Sequence, residues 1–270
     1  MSPQLDPRVP HGAALHFACN FGSMFPGRNS VLTVHDLMQR ERRRPQDRAT
    51  AFLLSQCLQR VGRVVAVSDQ TRSHVESAFP HLAGKVAVIP HGLRDLPRGT
   101  SERGHVLAFG GASDPRKRVA LTIEAYRRYR SIASDPLPLV VLSRAGLLEE
   151  QQRQLLELGA RMVPTATGPD VDTLMADAAA LIYPTAEEGF GLPILEAAEA
   201  GTPVVMDAGA RVPSEVVGPH CVQIAGDSPS AWADGLRRAI AGGPVFGSLS
   251  LPSWESVASR YLDVYREVQS

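Results

Sequence analysis

The feature that most constrains the fold is a repeated alternation between short apolar runs and segments of helical periodicity. Runs such as VLTVHD, VVAVSD, VLAFGG and ALIYPT are apolar over most of their length and end in polar or glycine-rich residues. Strands with one solvated face alternate apolar and polar residues, whereas continuous apolar strands are typical of parallel sheets covered by helices on both faces. The sequence therefore predicts an α/β chain built on parallel sheets.

A polar stretch containing proline and glycine, at residues 93–105, divides the chain into two parts. A length of 270 residues, 44% of them hydrophobic, suits two domains of modest size. We expect one domain at residues 1–93, a second at 94–252 and a final helix at 253–270, where apolar residues recur at helical spacing. Ser68 is the expected N-cap of the second predicted helix. The predicted helices before the last are residues 47–60, 69–78, 119–129, 148–158, 172–179 and 193–200.

Charge and cysteine content exclude several classes of protein. Lys plus Arg and Asp plus Glu are equal at 28 each, so no net charge favours binding to nucleic acid or to an anionic membrane. Cys19, Cys57 and Cys221 are far apart and odd in number, which argues against a disulfide framework and favours a cytoplasmic location. The chain has no secretory leader pattern and no run of about 18 apolar residues, so we expect a soluble or at most peripheral protein.

The stretch EEGFGLPILEAAEAGTPVV follows an apolar run and is predicted to be a strand-to-helix loop. Ligands of open parallel sheets bind at the carboxyl ends of strands, and glycines allow the backbone to approach them closely. Pro193 is expected at the first position of the following helix, with Glu196 in its first turn near the positive end of the helix dipole. The alternative is that Glu188 only caps the helix. A dinucleotide fingerprint is disfavoured because the G-x-G pattern lacks its third glycine.

A second candidate loop lies in VLAFGGASDPRKR, where a strand ends at Gly110 and Gly111. The adjacent Arg116 and Lys117 suit a diphosphate, the first as a hydrogen-bonding fork and the second as a point charge. The alternative is a solvated basic loop. Both candidate loops follow strands of one predicted sheet, which favours a common site.

Two further motifs contain candidate site residues. His35 ends the run VLTVHD and could orient a substrate or move a proton, whereas the alternative for it and for His91 is a hydrogen-bonded structural role. Asp170 and Asp172 form an Asp-x-Asp pattern, but they precede an apolar periodic helix and are better explained as N-cap residues. No metal site is predicted.

Together these segments resemble the family 4 glycosyltransferases, which have the GT-B fold of two Rossmann-like parallel-sheet domains. Glu188 and Glu196 are similar to the two glutamates of that family's Glu-x7-Glu motif. Arg116 and Lys117 resemble its Arg-Lys pair, and His35 its active-site histidine. The segment SWESVASRYLDVY looks like the helix that crosses back to the first domain of family members.

The resemblance implies a retaining glycosyltransferase that uses a nucleoside-diphosphate sugar and needs no metal or other cofactor. It implies that Arg116 and Lys117 hold the diphosphate, that Glu196 binds the ribose hydroxyls and that Glu188 contacts the donor sugar. His35 would act on that sugar, so the catalytic set comprises His35, Arg116, Lys117 and Glu188. The full implied donor-binding set is Gly110, Gly111, Arg116, Lys117, Glu188, Gly189, Phe190, Gly191, Leu192 and Glu196.

The sequence departs from the family pattern at its start. Family members begin with a strand and a glycine-rich loop, and nothing before residues 10–18 corresponds to them, so we expect a truncated N-terminal domain. The acceptor is open between a glycan, a lipid-linked and a small molecule in polysaccharide or glycoconjugate biosynthesis; no nucleic acid is expected. A fragment or misassigned start, a protein partner that completes the first domain, and a reduced enzyme are the alternatives for this departure, and peripheral contact with a membrane is open. The alternatives for the function are a donor-binding but non-catalytic subunit and a metal-dependent transferase using Asp170 and Asp172.

Overall fold

The chain forms two compact α/β units, one of Met1–Arg94 with Leu251–Ser270 and the other of Asp95–Ser250. The computed structural model describes residues 15–17, 29–37, 45–93, 96–99, 103–112, 114–143, 146–164, 168–185, 188–210, 221–242 and 251–269. The helices and strands of these residues, in chain order, are β1 (Leu15–Phe17), β2 (Ser30–Val34), α1 (Pro45–Arg60), β3 (Arg63–Ala66), α2 (Asp69–Ala78), β4 (Val86–Val88), β5 (His105–Phe109), α3 (Val119–Ile132), β6 (Leu139–Leu142), α4 (Glu149–Glu157), β7 (Arg161–Val163), α5 (Gly168–Ala176), β8 (Ala178–Tyr183), α6 (Leu192–Glu199), β9 (Val204–Asp207), β10 (Val222–Ile224), α7 (Pro229–Ile240) and α8 (Trp254–Gln269).

The first unit contains a parallel sheet of four strands in the order β1-β2-β3-β4. Successive residues of a strand point to opposite faces, and here both faces are covered. Val31 and Val65 pack in one cluster with Val257 and Val264 of α8. Their neighbours along the strands, Leu32 and Val64, pack in a second cluster with apolar residues of α1 and α2, including Leu58. Burial on both faces explains why these strands are apolar throughout.

The second unit contains a six-stranded parallel sheet in the order β10-β9-β8-β5-β6-β7. The chain starts at the centre with β5, moves outward through β6 and β7, and then returns to build β8, β9 and β10 on the other side. The strand order therefore reverses between β5 and β8, and in open α/β sheets ligands bind at the carboxyl ends of the strands at such a switch point. The predicted α/β class with parallel sheets is confirmed.

The N-cap prediction for α2 is also confirmed. The Oγ of Ser68 accepts a hydrogen bond from the backbone N–H of Thr71 at 3.0 Å, which satisfies one of the amide groups that the first helical turn leaves without a partner. Asp69 adds a carboxylate to that first turn, where it complements the helix dipole.

The predicted helix at residues 172–179 is wrong at both ends. The helix α5 begins at Gly168 and ends at Ala176, and Ala178 already belongs to β8. Asp170 and Asp172 therefore lie inside the helix, and neither is its N-cap as we had expected. The strand AAALIY is apolar throughout, and periodicity alone cannot separate the start of such a buried strand from the end of an apolar helix.

Candidate active site

The candidate site of the second unit lies at the switch point of its sheet. Two loops carry it: one leads from β5 through a short 3-10 turn, Pro115–Lys117, into α3, and the other leads from β8 into α6. The strands β5 and β8 pair directly with each other in parallel. The carboxyl ends of both strands thus present their following loops at the same edge of the sheet.

Asp114 and Arg116 form a closed unit in the first loop. The Asp114 carboxylate caps the 3-10 turn by accepting the backbone N–H of Arg116 at 3.2 Å. It also accepts two forked hydrogen bonds from the guanidinium, from Nε and from Nη2, each at 2.9 Å. Burial alone would raise the pKa of Asp114, but the hydrogen bonds and charge of Arg116 outweigh it and lower that pKa. The charge of Arg116 is therefore already balanced within the protein.

Lys117 makes the contact that joins the two loops. Its Nζ donates to Oε1 of Glu188 at 3.0 Å and to the hydroxyl of Tyr183. The ammonium also lies 4.5 Å from the centre of the Tyr183 ring, within the range of a cation–π interaction. The side chains of Lys117 and Glu188 are 20% and 16% exposed, so the pair is partly withdrawn from water yet reachable from it.

Tyr183 is the third member of the cluster formed with Lys117 and Glu188. It is the last residue of β8, and its hydroxyl lies 2.6 Å from Oε1 of Glu188. Burial, the negative charge of Glu188 and the hydrogen bond to it raise the pKa of Tyr183 well above its usual value. The phenol therefore remains neutral and donates its proton to the carboxylate.

Arg118 holds the first loop to the edge of the sheet. It has φ 42° and ψ 48°, and among the described residues it alone has a positive φ without being glycine. Its Nη1 donates to Asp207 and to Asp227, each at 2.9 Å. The Asp207 side chain is 8% exposed and also accepts the backbone N–H of Gly209 at 2.7 Å. This left-handed conformation is costly for an arginine, and the two ion pairs help to stabilise it.

The second loop differs from our expectation in two details. The N-cap of α6 is Gly191, at φ 78° and without a side-chain cap, so the alternative in which Glu188 caps this helix is excluded. Because α6 begins at Leu192, Pro193 is its second residue and Glu196 its fifth, so Glu196 does not lie in the first turn as predicted. A glycine at the N-cap in the left-handed conformation starts the helix one residue earlier than a proline at the first position would.

The remaining predicted loop residues lie beside this cluster. Gly189 is partly exposed, and Phe190 and Gly191 are buried. A Cβ at Gly110 would lie 2.7 Å from the end of the Leu147 side chain, whereas one at Gly111 would have no neighbour nearer than 3.8 Å. A side chain at position 110 would therefore displace the end of the Leu147 side chain.

His35 lies in the first unit, at the carboxyl end of β2, and pairs with His91, which follows β4. Their Nδ1 and Nε2 atoms are 3.3 Å apart, and the rings are nearly parallel with centres 5.2 Å apart. Burial, together with the proximity of His35, lowers the pKa of His91 to about 4. His91 is therefore neutral at neutral pH and can either donate to His35 or accept from it, depending on its tautomer.

Comparison with known proteins identifies the family. The profile described as "Glycosyl transferases group 1" matches residues 103–241, and that of "Glycosyltransferase Family 4" matches residues 5–95. The first match alone covers more than half of the chain. The chain belongs to the group 1 glycosyl transferases. The two matches together support the predicted membership of family 4.

Individual relatives of this group 1 chain agree with the assignment. It is 34% identical over 200 residues to the D-inositol 3-phosphate glycosyltransferase of Salinispora tropica, a match that covers 64% of the chain and 39% of that protein. Sucrose-phosphate synthase from Thermosynechococcus elongatus superimposes with a TM-score of 0.69 at 19% identity, over 88% of this chain and 67% of that one. HepE of Anabaena in complex with UDP-glucose gives 0.64 at 17% identity, over 89% and 68%. These structures show that the predicted GT-B fold is correct.

The structure of this group 1 chain brings some predicted site residues together and separates others. Lys117 and Glu188 meet directly, whereas Arg116 turns to Asp114. Tyr183 and Arg118 were missed, because a tyrosine ending an apolar run is normally assigned to the core and because the partner Asp207 is 89 positions from Arg118. The Asp residue that ends the run TPVVMD was the available signal for the latter, since it lies at the carboxyl end of a strand of the same sheet.

The described residues of the group 1 chain have neither a cluster of metal-ligating side chains nor a membrane-spanning helix. They contain no group of three or more His, Cys, Asp or Glu side chains placed to hold a metal ion. None of their helices combines the length and hydrophobicity needed to cross a membrane. Cys19 and residues 1–14, which entered the predictions of a reduced cysteine set and of a truncated first domain, lie outside the described part of the chain.

Proposed function

We propose that this protein transfers a glycosyl group from a nucleoside-diphosphate sugar to an acceptor, with retention of anomeric configuration and without a metal ion. The observation that carries the proposal is the cluster of Lys117, Tyr183 and Glu188 at the switch point of the second sheet. A lone cation there would suit any anion, but a cation and a carboxylate on adjoining loops suit a ligand that has both phosphates and hydroxyls.

The diphosphate is proposed to bind through Lys117 and the start of α6. An ammonium is a compact cation with three donors, and a helix N-terminus favours negative charge. When the diphosphate arrives, Lys117 exchanges Glu188 for phosphate oxygens, and the carboxylate becomes available to hydroxyls of the donor sugar. As the sugar leaves the diphosphate, negative charge grows on the phosphate oxygens, and Lys117 stabilises that charge.

The other predicted residues keep their proposed roles with one refinement. Arg116 could bind the diphosphate only if its guanidinium shared or gave up the two hydrogen bonds to Asp114. We therefore assign it a weaker contribution to diphosphate binding than Lys117. Glu196 is proposed to bind the ribose hydroxyls and His35 to take part in the transfer at the donor sugar. UDP-glucose in HepE, a protein of the same fold, supports a nucleotide sugar as the donor here.

Calorimetric titration with nucleoside diphosphates and a panel of nucleotide sugars tests the donor site. Ligands that bind the native state also raise the melting temperature, so thermal shifts can be used to select the base and sugar. We expect Lys117→Met to weaken nucleoside-diphosphate binding by about 100-fold, the scale of truncating one partner of a hydrogen-bonded charge pair. Lys85, in an exposed loop before β4, is the other lysine of the sequence, and Lys85→Met is the matched control.

Binding of nucleoside diphosphates that is equal in wild type and Lys117→Met would refute this donor site. Turnover separates the proposed enzyme from a donor-binding subunit that does not catalyse. We expect slow hydrolysis or transfer of the selected nucleotide sugar by the purified chain, retained in the presence of a chelator and lost on Glu188→Gln. Binding without any turnover would favour the subunit, and loss of turnover in chelator would favour a metal-dependent transferase.

A further inference from the structure

We propose that Tyr183 is a positioning residue of this site, whose hydroxyl keeps the Glu188 carboxylate in place while Lys117 exchanges that carboxylate for an anionic ligand. The inference rests on the proposed function for the identity of the ligand. The hold of Tyr183 on Glu188 and Lys117 rests only on the geometry of the cluster. Tyr183 belongs to neither the catalytic nor the donor-binding set that the sequence predicts.

The three side chains form a closed triangle of hydrogen bonds. The neutral phenol donates its single proton to Oε1 of Glu188 at 2.6 Å, and its oxygen accepts from Nζ of Lys117. Lys117 donates a second bond to the same Oε1 of Glu188, at 3.0 Å. Each group thus contacts the other two, and removal of Lys117 from the triangle leaves the bond from Tyr183 to Glu188 intact.

Tyr183 is the rigid member of the triangle. Its side chain is 1% exposed, and it ends a central strand of the sheet. Its ring packs edge-on against Phe109, the last residue of the neighbouring strand β5, with ring centres 5.9 Å apart. Lys117 ends a short 3-10 turn and Glu188 lies in the loop before α6. The hydroxyl of Tyr183 therefore fixes the positions of two groups whose backbones lie outside the strands.

This arrangement lowers the free-energy cost of moving Lys117 from Glu188 to the ligand. A largely buried carboxylate that loses its cation is destabilised unless other donors remain. The hydrogen bond from Tyr183 is such a donor, and bonds to a charged acceptor are stronger than bonds between neutral groups. Glu188 can therefore stay ionised and in position after Lys117 has turned to the ligand, which is the state in which the sugar would be transferred.

Tyr126 provides the contrast that tests this role. It is also a buried tyrosine of the second unit, at 3% exposure, and its hydroxyl donates to the backbone carbonyl of Leu137 at 2.9 Å. Tyr126→Phe and Tyr183→Phe each remove one buried hydroxyl and keep the ring. Any effect that arises only from the loss of a buried hydrogen bond should appear in both variants.

The first measurement needs no ligand. Because Lys117 and Lys85 are the two lysines of the sequence, labelling with an amine-reactive reagent and mass spectrometry can compare their rates within one sample. We expect Tyr183→Phe to raise the Lys117 rate relative to Lys85 by about 2- to 10-fold, the scale of one lost hydrogen bond, and Tyr126→Phe to leave the ratio unchanged. An equal ratio in both variants would overturn the proposal.

The second measurement uses the nucleotide sugar that gives the largest thermal shift. We expect Tyr183→Phe to lower kcat by about tenfold and to change KM for the donor by less than about twofold, because the lost bond orients Glu188 after the diphosphate has bound. Tyr126→Phe should change neither constant. A KM increase with unchanged kcat, or no change in either constant, would overturn the positioning role.

A second variant keeps the test decisive if Tyr183→Phe folds poorly. Glu188→Gln removes the carboxylate charge at nearly constant size and should also raise the Lys117 labelling ratio. An unchanged ratio in Glu188→Gln would overturn the proposal whether or not Tyr183→Phe folds. Where both single variants fold, the increase in the double variant should be smaller than the product of the two single increases, because both substitutions loosen the same contact. An increase equal to that product would also overturn the proposal. Absence of nucleoside-diphosphate binding by the wild type would refute the proposed function and leave the labelling result to decide the hold of Tyr183.

Discussion

Both units place side chains at the carboxyl ends of parallel strands, but these side chains differ in charge. In the second unit the groups are charged and paired: Lys117 with Glu188, and Arg118 with Asp207. In the first unit, His35 contacts His91, which burial keeps neutral at neutral pH. One sheet edge thus holds compensated charges, and the other holds a histidine pair with at least one neutral ring.

The difference shows how each edge could act on a ligand. Paired charges can exchange partners, so a cation at the edge of the second unit can turn from its carboxylate to an anionic ligand. A neutral imidazole presents one donor and one acceptor, so it suits a hydroxyl or a proton in transfer. If this division holds, the charged edge should depend on its ion pairs, and the histidine pair of the first unit should depend on the neutral form of His91.

The largest effect is expected for the ion pair of the second unit in which the carboxylate, Asp207, is buried and Arg118 is 30% exposed. Asp207→Ala should lower the free energy of unfolding by about 3 kcal/mol, because it removes the carboxylate that Arg118 and the Gly209 N–H share. Asp227→Ala is the matched control on the same guanidinium: its side chain is 71% exposed, and we expect less than about 0.5 kcal/mol. Denaturant unfolding of both variants measures the difference, and equal losses would contradict a special role for the pair of Arg118 and Asp207.

The next effect concerns the neutral edge and pH. The unfolded pKa of His91 is 6.5 and the folded one about 4, so between these values the unfolded state binds a proton that the folded state does not. Stability is therefore unaffected by His91 above pH 6.5, falls as the pH drops from 6.5 to about 4, and stays reduced below that. A pKa that falls from 6.5 to about 4 corresponds to about 3.4 kcal/mol without solvent screening. Because His91 is only partly buried, we expect a total loss of about 2 kcal/mol.

His91→Asn provides the control for this pH dependence. Asparagine keeps a donor and an acceptor but does not ionise in this range, so the difference in unfolding free energy between wild type and variant should itself change between pH 7 and pH 4. Urea unfolding at several pH values measures it. A difference that is constant across this range would show that the folded protein protonates His91 as readily as the unfolded chain does.

The fold was predictable because its determinants are local. The continuous apolar strands predicted parallel sheets, and the serine before α2 predicted its cap, since both signals act within a few residues. The boundary between α5 and β8 was not predictable, because Ala178 and Ala179 fit the apolar face of a helix as well as they fit a buried strand. Glu196 was placed in the wrong turn because the start of α6 depends on the left-handed conformation of Gly191, which the sequence does not specify.

The candidate site was predictable only as a set of loops. The motif residues Lys117 and Glu188 do meet, because the strands before them pair directly. Which cation takes which carboxylate depends on distances between loops, and the pairing of Arg116 with its near neighbour Asp114 left Lys117 for Glu188. The contact between His35 and His91, 56 positions apart, depends likewise on the position of β2 and β4 on either side of β3.

A smaller effect is expected from releasing Arg116. Asp114→Asn should retain a capping side chain for the 3-10 turn but remove the negative charge that balances the guanidinium, so nucleoside diphosphates should bind about three- to fivefold more tightly. The gain should shrink as salt is added, because the released charge is partly exposed. Glu150→Gln, which removes a similar forked partner of Arg153 on α4, is the control and should leave binding unchanged. Weaker binding by Asp114→Asn would mean that Asp114 holds Arg116 in its ligand-binding position.

The smallest effect is expected where the first unit does use an ion pair. Arg63 of β3 and Glu267 of α8 are 3.0 Å apart, with side chains 35% and 56% exposed, and an exposed pair of this kind contributes at most about 0.5 kcal/mol. We therefore expect Glu267→Gln to leave the free energy of unfolding nearly unchanged. Val264→Ala, in the buried face of the same helix, should cost about 2 kcal/mol, because it leaves a cavity against the sheet. Similar losses of unfolding free energy for Glu267→Gln and Val264→Ala would mean that charge holds α8 on the first sheet as strongly as apolar packing does. The contrast between a unit that depends on ion pairs and one that depends on neutral groups would then fail.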